Sequence, residues 1–383
     1  MIVTRLVLRN WKNFRRVDLP LEDRVFLVGA NASGKSNLLD VFHFMKDLVA
    51  PGGGLHRAVE RRGGVGLIRS LAAAKGARVG FDFHFGRPGD GHKPRWRYAL
   101  DLNAYPRRPD VPMVTGERAW KGDRLVLDRP DAEDCGDRPR LRETFLENVV
   151  TNAPFREIAT FFAESRYFHL IPHRFRREEQ AGDSLSQNFT RGDFFRQVAA
   201  VPAKVRDARF SKIEMALKLS VPLLKDFRLR PGDLGDAHLE SSFRHWRRNC
   251  PPLREAQFSD GILRLVGILW SLLEKSPLLL LEEPELSLNT AVVRQLPGLI
   301  HRLRRSASSQ VVLSTHSPAL LSDAGIDPAE VVVLLPASDR SIEVTRACDL
   351  PDVNTLLEQG LSAGDVILPR IQPARIEELG YFE

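Results

Sequence analysis

Two short stretches of this sequence carry residue types suited to phosphate chemistry. The first, R-V-F-L-V-G-A-N-A-S-G-K-S, fits G-x-x-x-x-G-K-[ST] at Gly29, Gly34, Lys35 and Ser36. In such a loop, successive backbone N–H groups line a concavity at the positive end of the following helix, where anions bind. Gly29 and Gly34 permit turns that a Cβ would obstruct. Lys35 supplies a point charge for the β/γ-phosphates, and the Ser36 hydroxyl a ligand for Mg2+. The second stretch is L-L-L-L-E-E, from Leu278 to Glu283. Phosphoryl chemistry needs one carboxylate to hold the metal and another to polarise the attacking water. Glu282 suits the metal side and Glu283 the general base. A Gly-rich turn or an acidic helix cap would account for either stretch alone; together they predict a protein that binds a nucleotide with Mg2+.

The elements around these stretches follow from hydrophobic periodicity. Residues 2–8 read as a strand, Trp11 to Arg16 (W-K-N-F-R-R) as a polar turn, and Val17, Leu19 and Leu21 alternate as a second strand. Val25 to Val28 feeds the glycine loop. Leu38, Leu39, Phe42, Met45 and Leu48 then recur at helical spacing until Pro51 and Gly52 to Gly54. Val79, Phe81, Phe83 and Phe85 alternate, as do Trp96, Tyr98, Leu100 and Leu102, which predicts an antiparallel pair. Residues 104–140, rich in Pro, Asp and Arg, read as loop with one or two short strands.

From Leu141 to about Leu224 the pattern is helical, without a sustained heptad. Phe227 to Arg230 and His238 to Phe243 suit strands. Gln257 to Gly261 precedes an apolar helix through Leu273. Residues 290–304 suit a helix kinked at Pro297, and Val311 to Leu313 and Val331 to Leu335 are buried strands. Short apolar strands alternating with helices predict an α/β fold with a parallel or mixed sheet covered on both faces. The expected division is an N-terminal lobe over 1–140 and a mainly helical insertion over 141–256. A C-terminal lobe over 257–340 and a tail over 341–383 complete it.

Of 383 residues, 43% are apolar and 27% charged, enough for one large core or two moderate ones. No apolar run approaches the ~20 residues that span a bilayer, and the N-terminus has no signal-peptide pattern. Cys135, Cys250 and Cys348 are widely spaced, so neither a disulfide framework nor a C-x-x-C clip is written here. A cytoplasmic protein with no membrane partner is expected. The net charge of +7 permits contact with a polyanion. Arg174, Arg176 and Arg177, with Arg244, Arg247 and Arg248, would serve DNA contact or form a solvated basic face.

The ordered set N-F-R-R, G-A-N-A-S-G-K-S, F-S-D-G-I-L-R-L, L-L-L-L-E-E-P-E-L-S-L-N and S-T-H-S-P resembles an ABC-type ATPase head of the SMC, RecF and OLD kind, in the branch labelled AAA family ATPase. The resemblance covers roughly residues 1–50 and 165–335. It implies a P-loop NTPase fold with an antiparallel N-terminal piece. Gly29, Ala30, Asn31, Ala32, Ser33, Gly34, Lys35, Ser36 and Asn37 would form the nucleotide loop. Ser259, Asp260 and Gly261 match the signature loop that contacts the γ-phosphate bound to the opposite protomer. Glu285 to Asn289 matches the loop that crosses the dimer interface, and His316 the switch histidine that senses the γ-phosphate. Arg15 or Arg16 would touch nucleotide or lie on a solvated turn.

The sequence departs from the family at three points. Glu282 stands where Asp is usual. The metal-shell glutamine has only Gln180 and Gln187 as candidates. The tail, with Asp349, Asp352 and Asp365 scattered, carries no Toprim nuclease pattern. The expected function is therefore a stand-alone ATPase that dimerises around two ATP and regulates or drives a separate effector, in prokaryotic antiphage defence or DNA maintenance. The competing expectation is a RecF-like DNA clamp in replication or repair.

Overall fold

Strand β1 (Ile2–Trp11) buries Ile2, Val3, Leu6, Leu8 and Trp11, and a bulge between Val3 and Arg5 resets its alternation. It turns through Lys12 and Asn13 into β2 (Phe14–Pro20), whose Phe14, Val17 and Leu19 are buried while Arg15, Arg16 and Asp18 face solvent. Strand β3 (Arg24–Gly29) is buried throughout, and helix α1 (Lys35–Val49) leaves the loop behind it. In this computed structural model the described residues are all but 75, 88–92, 107, 173–190, 232–236, 245–250, 306–308, 338–340, 373–377 and 379–383.

Strands β4 (Val79–Gly86), β5 (Trp96–Tyr105), β6 (Arg108–Lys121) and β7 (Arg124–Arg129) extend the first hairpin into an antiparallel sheet of order β2-β1-β4-β5-β6-β7. The one or two short strands expected in the loop over 104–140 are two, and the expectation is corrected in length: β6 alone runs for 14 residues. Its two buried hydrophobic side chains are Val114 and Ala119, and it also buries Gly116 and Glu117. Pro, Gly and a buried charge therefore concealed its period of two.

The helices Arg156–Glu164, Arg191–Ala199 and Ala203–Ser220 agree with the helical pattern of the middle third. That pattern omitted β8 (Arg166–Phe168), three residues that join the nucleotide sheet. Strands β9 (Leu224–Pro231) and β10 (Ala237–Phe243) form where alternation predicted them, with β11 (Leu253–Arg254) completing a small antiparallel sheet. The helix Asp260–Leu273 precedes β12 (Leu278–Glu282), and β13 (Gln310–Thr315), β14 (Val331–Pro336) and β15 (Ile342–Arg346) follow. The expected helix over 290–304 is two pieces, Thr290–Val293 and Leu296–Arg305, so the break precedes Pro297. Pro297 lies in the first turn of the second piece, where its missing N–H has no helical partner to lose.

The mixed sheet has the order β15-β14-β3-β13-β12-β8, parallel except for β15. Because strand side chains alternate, each strand feeds two cores. Val25, Leu27, Leu278, Leu280 and Val312 join the core shared with α1 and the antiparallel sheet. Phe26, Val28, Leu279, Leu281 and Leu313 join the core shared with Asp260–Leu273 and the later helices. The buried Gln310 side chain bridges the sheets, accepting from the Val3 N–H at 3.0 Å and donating to the Val3 and Glu22 carbonyls at 2.8 Å each. No described helix is long and apolar enough to cross a membrane.

Candidate nucleotide-binding site

Strand β3 ends at Gly29, where an added Cβ would lie 2.4 Å from Ser33 Oγ and 3.1 Å from Leu334 Cβ. The loop then turns through Ala32 at φ 62° and Gly34 at φ 96° before α1 begins at Lys35. A Cβ on Gly34 would meet Asn13 Nδ2 at 2.0 Å. Asn13, at the tip of the first hairpin, donates to the Ser33 carbonyl at 3.1 Å and accepts from Asn37 Nδ2 at 2.9 Å. Trp11 Nε1 donates to the Asn37 carbonyl at 2.8 Å. The N-F-R-R stretch therefore braces the loop through Asn13, while Arg15 and Arg16 are exposed on β2.

Lys35 folds back on its own loop, donating to the Gly29 and Ala30 carbonyls at 2.8 and 3.1 Å. Burial lowers the pKa of its ammonium, and the nearby Glu283, Glu285 and Glu282 oppose that shift. The next residue, Ser36, donates its hydroxyl to Glu282 Oε1. Glu282 ends β12 opposite Ser314 of β13. Its other oxygen accepts from the Tyr167 hydroxyl, and His169 Nδ1 lies 3.7 Å from it. Burial, then the Glu282 charge, pushes the Tyr167 phenol well above its usual range, so it remains a donor. Ser36, Glu282, Tyr167 and His169 line a cleft of about 320 Å³ together with Lys12, Asn37, Asp40 and His43.

Glu283 turns away from Glu282. Its φ is 42°, uncommon for a residue with a Cβ, and its N–H donates to the Ser314 carbonyl at 3.1 Å. Its carboxylate lies 3.4 Å from His316 Nδ1. His316 follows β13, which runs between β3 and β12, so the histidine stands between the loop and the acid pair. Glu285 is buried behind them, accepting from the Thr315 hydroxyl at 2.6 Å and the His316 N–H at 3.3 Å. Burial raises its pKa.

Ser259 caps the helix Asp260–Leu273, its Oγ accepting from the Ile262 N–H at 3.4 Å. A Cβ on Gly261 would lie 2.6 Å from the Ser287 carbonyl, so this helix start packs against the 285–289 loop. One turn on, Arg264 donates to the Glu283 carbonyl at 3.3 Å. Ser259, Asp260 and Gly261 are not among the residues lining the Ser36–Glu282 cleft of their own chain. Gln180 and Gln187 lie outside the described residues, as do Arg174, Arg176, Arg177, Arg247 and Arg248; Arg244 is exposed after β10.

The sequence matches the family described as "AAA domain, putative AbiEii toxin, Type IV TA system" over residues 24–322, well over half the chain. The chain belongs to this AAA-domain family. It is also 40% identical over 62 residues to the DNA replication and repair protein RecF of Roseiflexus castenholzii, a match covering 16% of each protein. Its fold is similar to that of an Smc head solved bound to the C-terminal winged-helix domain of ScpA: TM-score 0.53, 16% identity, 90% of this chain and 97% of that one. A Pyrococcus furiosus Smc head with an extended coiled coil, bound to the C-terminal domain of ScpA, gives a TM-score of 0.52 at 14% identity, covering 94% and 99%. The mixed α/β architecture is that of an SMC/RecF-like ABC ATPase head.

For this AAA-domain protein, the donor set fits a nucleotide with a hard cation. One hydroxyl and one carboxylate meet at the loop, and buried Ser33 Oγ has no hydrogen-bond partner among the described residues. Sequence reasoning missed Lys12, Asn13, Tyr167, His169 and Arg264 as site residues. Asn13 and Arg264 lay inside quoted motifs, at the hairpin tip and four residues after Asp260. Tyr167 and His169 sit on and just after a three-residue strand, which leaves no periodic signal.

Proposed function

We propose that this protein is an ATPase whose two copies close around two ATP and Mg2+ and regulate a separate effector protein in prokaryotic defence or DNA maintenance. The observation that carries it is the convergence of Lys35, Ser36 and Glu282 at one loop, with Glu283 and His316 3.4 Å apart beside them. Ala30, Asn31, Ala32 and Ser33 line the phosphates between Gly29 and Gly34, and Asn37 holds the loop to the first hairpin. Lys35 leaves its loop carbonyls for the β/γ-phosphates. Ser36 and Glu282 would hold Mg2+, which would supply neutralisation of phosphate charge. Glu283 takes the proton of the attacking water, and His316 contacts the γ-phosphate.

Two copies are invoked because Ser259, Asp260 and Gly261 match the signature loop of the family resemblance, which contacts the γ-phosphate bound to the opposite protomer. The start of the 14-residue helix they open offers N–H groups to an anion on a partner. The effector role is supported by the toxin–antitoxin description of the family and by the partner-bound Smc heads. Lys35→Ala is expected to abolish ATP binding in calorimetry while circular dichroism stays unchanged; retained affinity would sink the assignment.

For the dimer, light scattering with ATP and Mg2+ is expected to show Glu283→Gln accumulating as a dimer, and Ser259→Arg in that background returning it to monomer. A Glu283→Gln protein that binds ATP yet stays monomeric would remove the two-headed mechanism. The RecF match favours a second reading, a clamp that grips DNA through phosphates. Each contact would add about 0.9 to the log–log salt slope, and a flat slope would exclude it.

A further inference from the structure

Glu282 Oε2 is shared by two side chains from the end of β8. Tyr167 fills it with a hydroxyl donor and is itself held by stacking on His43, with centroids 5.3 Å apart and planes 17° apart. His169 approaches the same oxygen at 3.7 Å, yet its Nδ1 is buried and has no hydrogen-bond partner among the described residues. A buried imidazole nitrogen left so is costly and calls for an explanation. Its surroundings are those of a ligand: it lines the same cleft as Ser36, whose Oγ touches the other oxygen of the same carboxylate. Two donors each about 2.1 Å from one cation lie up to about 4.2 Å apart, which the 3.7 Å separation satisfies.

We propose that His169 Nδ1 is a ligand of the cation held by Ser36 and Glu282, so that the site combines nitrogen with oxygen donors and selects Mn2+ over Mg2+. The proposal rests on Ser36 and Glu282 being the cation side of the phosphate loop. Mg2+ is bound by oxygen and retains its waters, whereas an imidazole strengthens binding of first-row transition ions. Among the described residues no three His, Cys, Asp or Glu side chains group as a metal site. Ser36, Glu282 and His169 therefore form a partial shell that nucleotide phosphates complete, and the cation binds tightly only with nucleotide.

The experiment is pulsed EPR of Mn2+ with the non-hydrolysable analogue AMP-PCP on the full chain labelled with 15N-histidine. Wild type is expected to show 31P coupling from the phosphates and 15N coupling from a directly bound imidazole. His169→Gln is expected to keep the 31P coupling, lose the 15N coupling, and lower the Mn2+-over-Mg2+ preference in competition titrations about tenfold. Wild type with 31P but no 15N coupling overturns the role of His169 and leaves the phosphate loop standing. Persistence of 15N coupling in His169→Gln does the same, pointing to another histidine. Absence of both couplings overturns the phosphate loop as the cation site, and the His169 assignment with it. A merely structural His169 would hold Glu282 in place without any coupling to the metal.

Discussion

Two clusters of buried charge in this molecule are built in opposite ways. In the antiparallel sheet, Arg129 is fully buried and donates to Asp134 at 2.8 and 2.9 Å, to Glu117 at 3.0 Å, and to the Glu143 and Arg140 carbonyls at 3.1 Å each. Glu117 also accepts from the Tyr98 hydroxyl at 2.8 Å and from the N–H groups of Phe145 and Leu146 at 2.9 and 3.1 Å. At the mouth of the mixed sheet, three glutamates crowd one lysine that donates to the Gly29 and Ala30 carbonyls. There Ala32, Glu283 and Ser287 have φ of 62°, 42° and 62°, and Ser33 Oγ, Glu285 Oε2 and His169 Nδ1 have no hydrogen-bond partner among the described residues. The same residue types hold a fold together when their hydrogen bonds are saturated, and wait for a ligand when they are not.

Substitution tests that contrast directly. Glu283→Gln keeps shape and hydrogen-bond reach but removes the proposed base, so the proposed ATP turnover should fall by about 10²–10⁴-fold. Its thermal midpoint should stay near wild type; a large fall would mean Glu283 belongs with the structural cluster. Arg129→Met should do the reverse. It leaves Glu117 buried without its cation and Asp134 with the longer Arg140 contact at 3.2 Å, a loss of about 3–5 kcal/mol in denaturant unfolding. ATP affinity of the folded fraction should be unchanged, and a specific loss of ATP binding would couple the two regions.

The smallest effect is on pH dependence, and its sign differs between the clusters. Hydrogen bonds from Arg129 hold the Asp134 carboxyl at about 2, below its ordinary 3.8. Its contribution is present above 3.8 and is lost as pH falls towards 2. Glu285 is raised by burial above its ordinary 4.5. The folded state binds that proton more tightly, so its contribution is present below 4.5 and is lost as pH rises through the folded value. Unfolding free energies measured across acid and neutral pH should lose the first slope in Asp134→Asn and the second in Glu285→Gln. An Asp134→Asn profile parallel to wild type would refute the pairing.

Contiguity decided what could be read before the fold was known. Strand β3, the loop to Ser36 and the face of α1 lie in one unbroken stretch, where local conformation and period carry the whole message. The same holds for the Phe81–Phe85 alternation and for Asp260–Leu273. Strand β6 escaped because Pro112, Gly116 and Glu117 occupy buried positions where apolar residues would mark the period of two, and β8 because three residues are too few for a period.

By itself the sequence determined that a phosphate loop and a strand-end acid pair exist in one α/β chain, since both motifs are local. Only the tertiary structure decided which distant residues complete them. Asn13 reaches the loop across a hairpin, and Tyr167 and His169 reach Glu282 because β8 pairs with β12. Those pairings join positions 20 residues apart for Asn13 and Ser33 and 115 apart for Tyr167 and Glu282, through sheet register and burial, and no local rule of spacing records them.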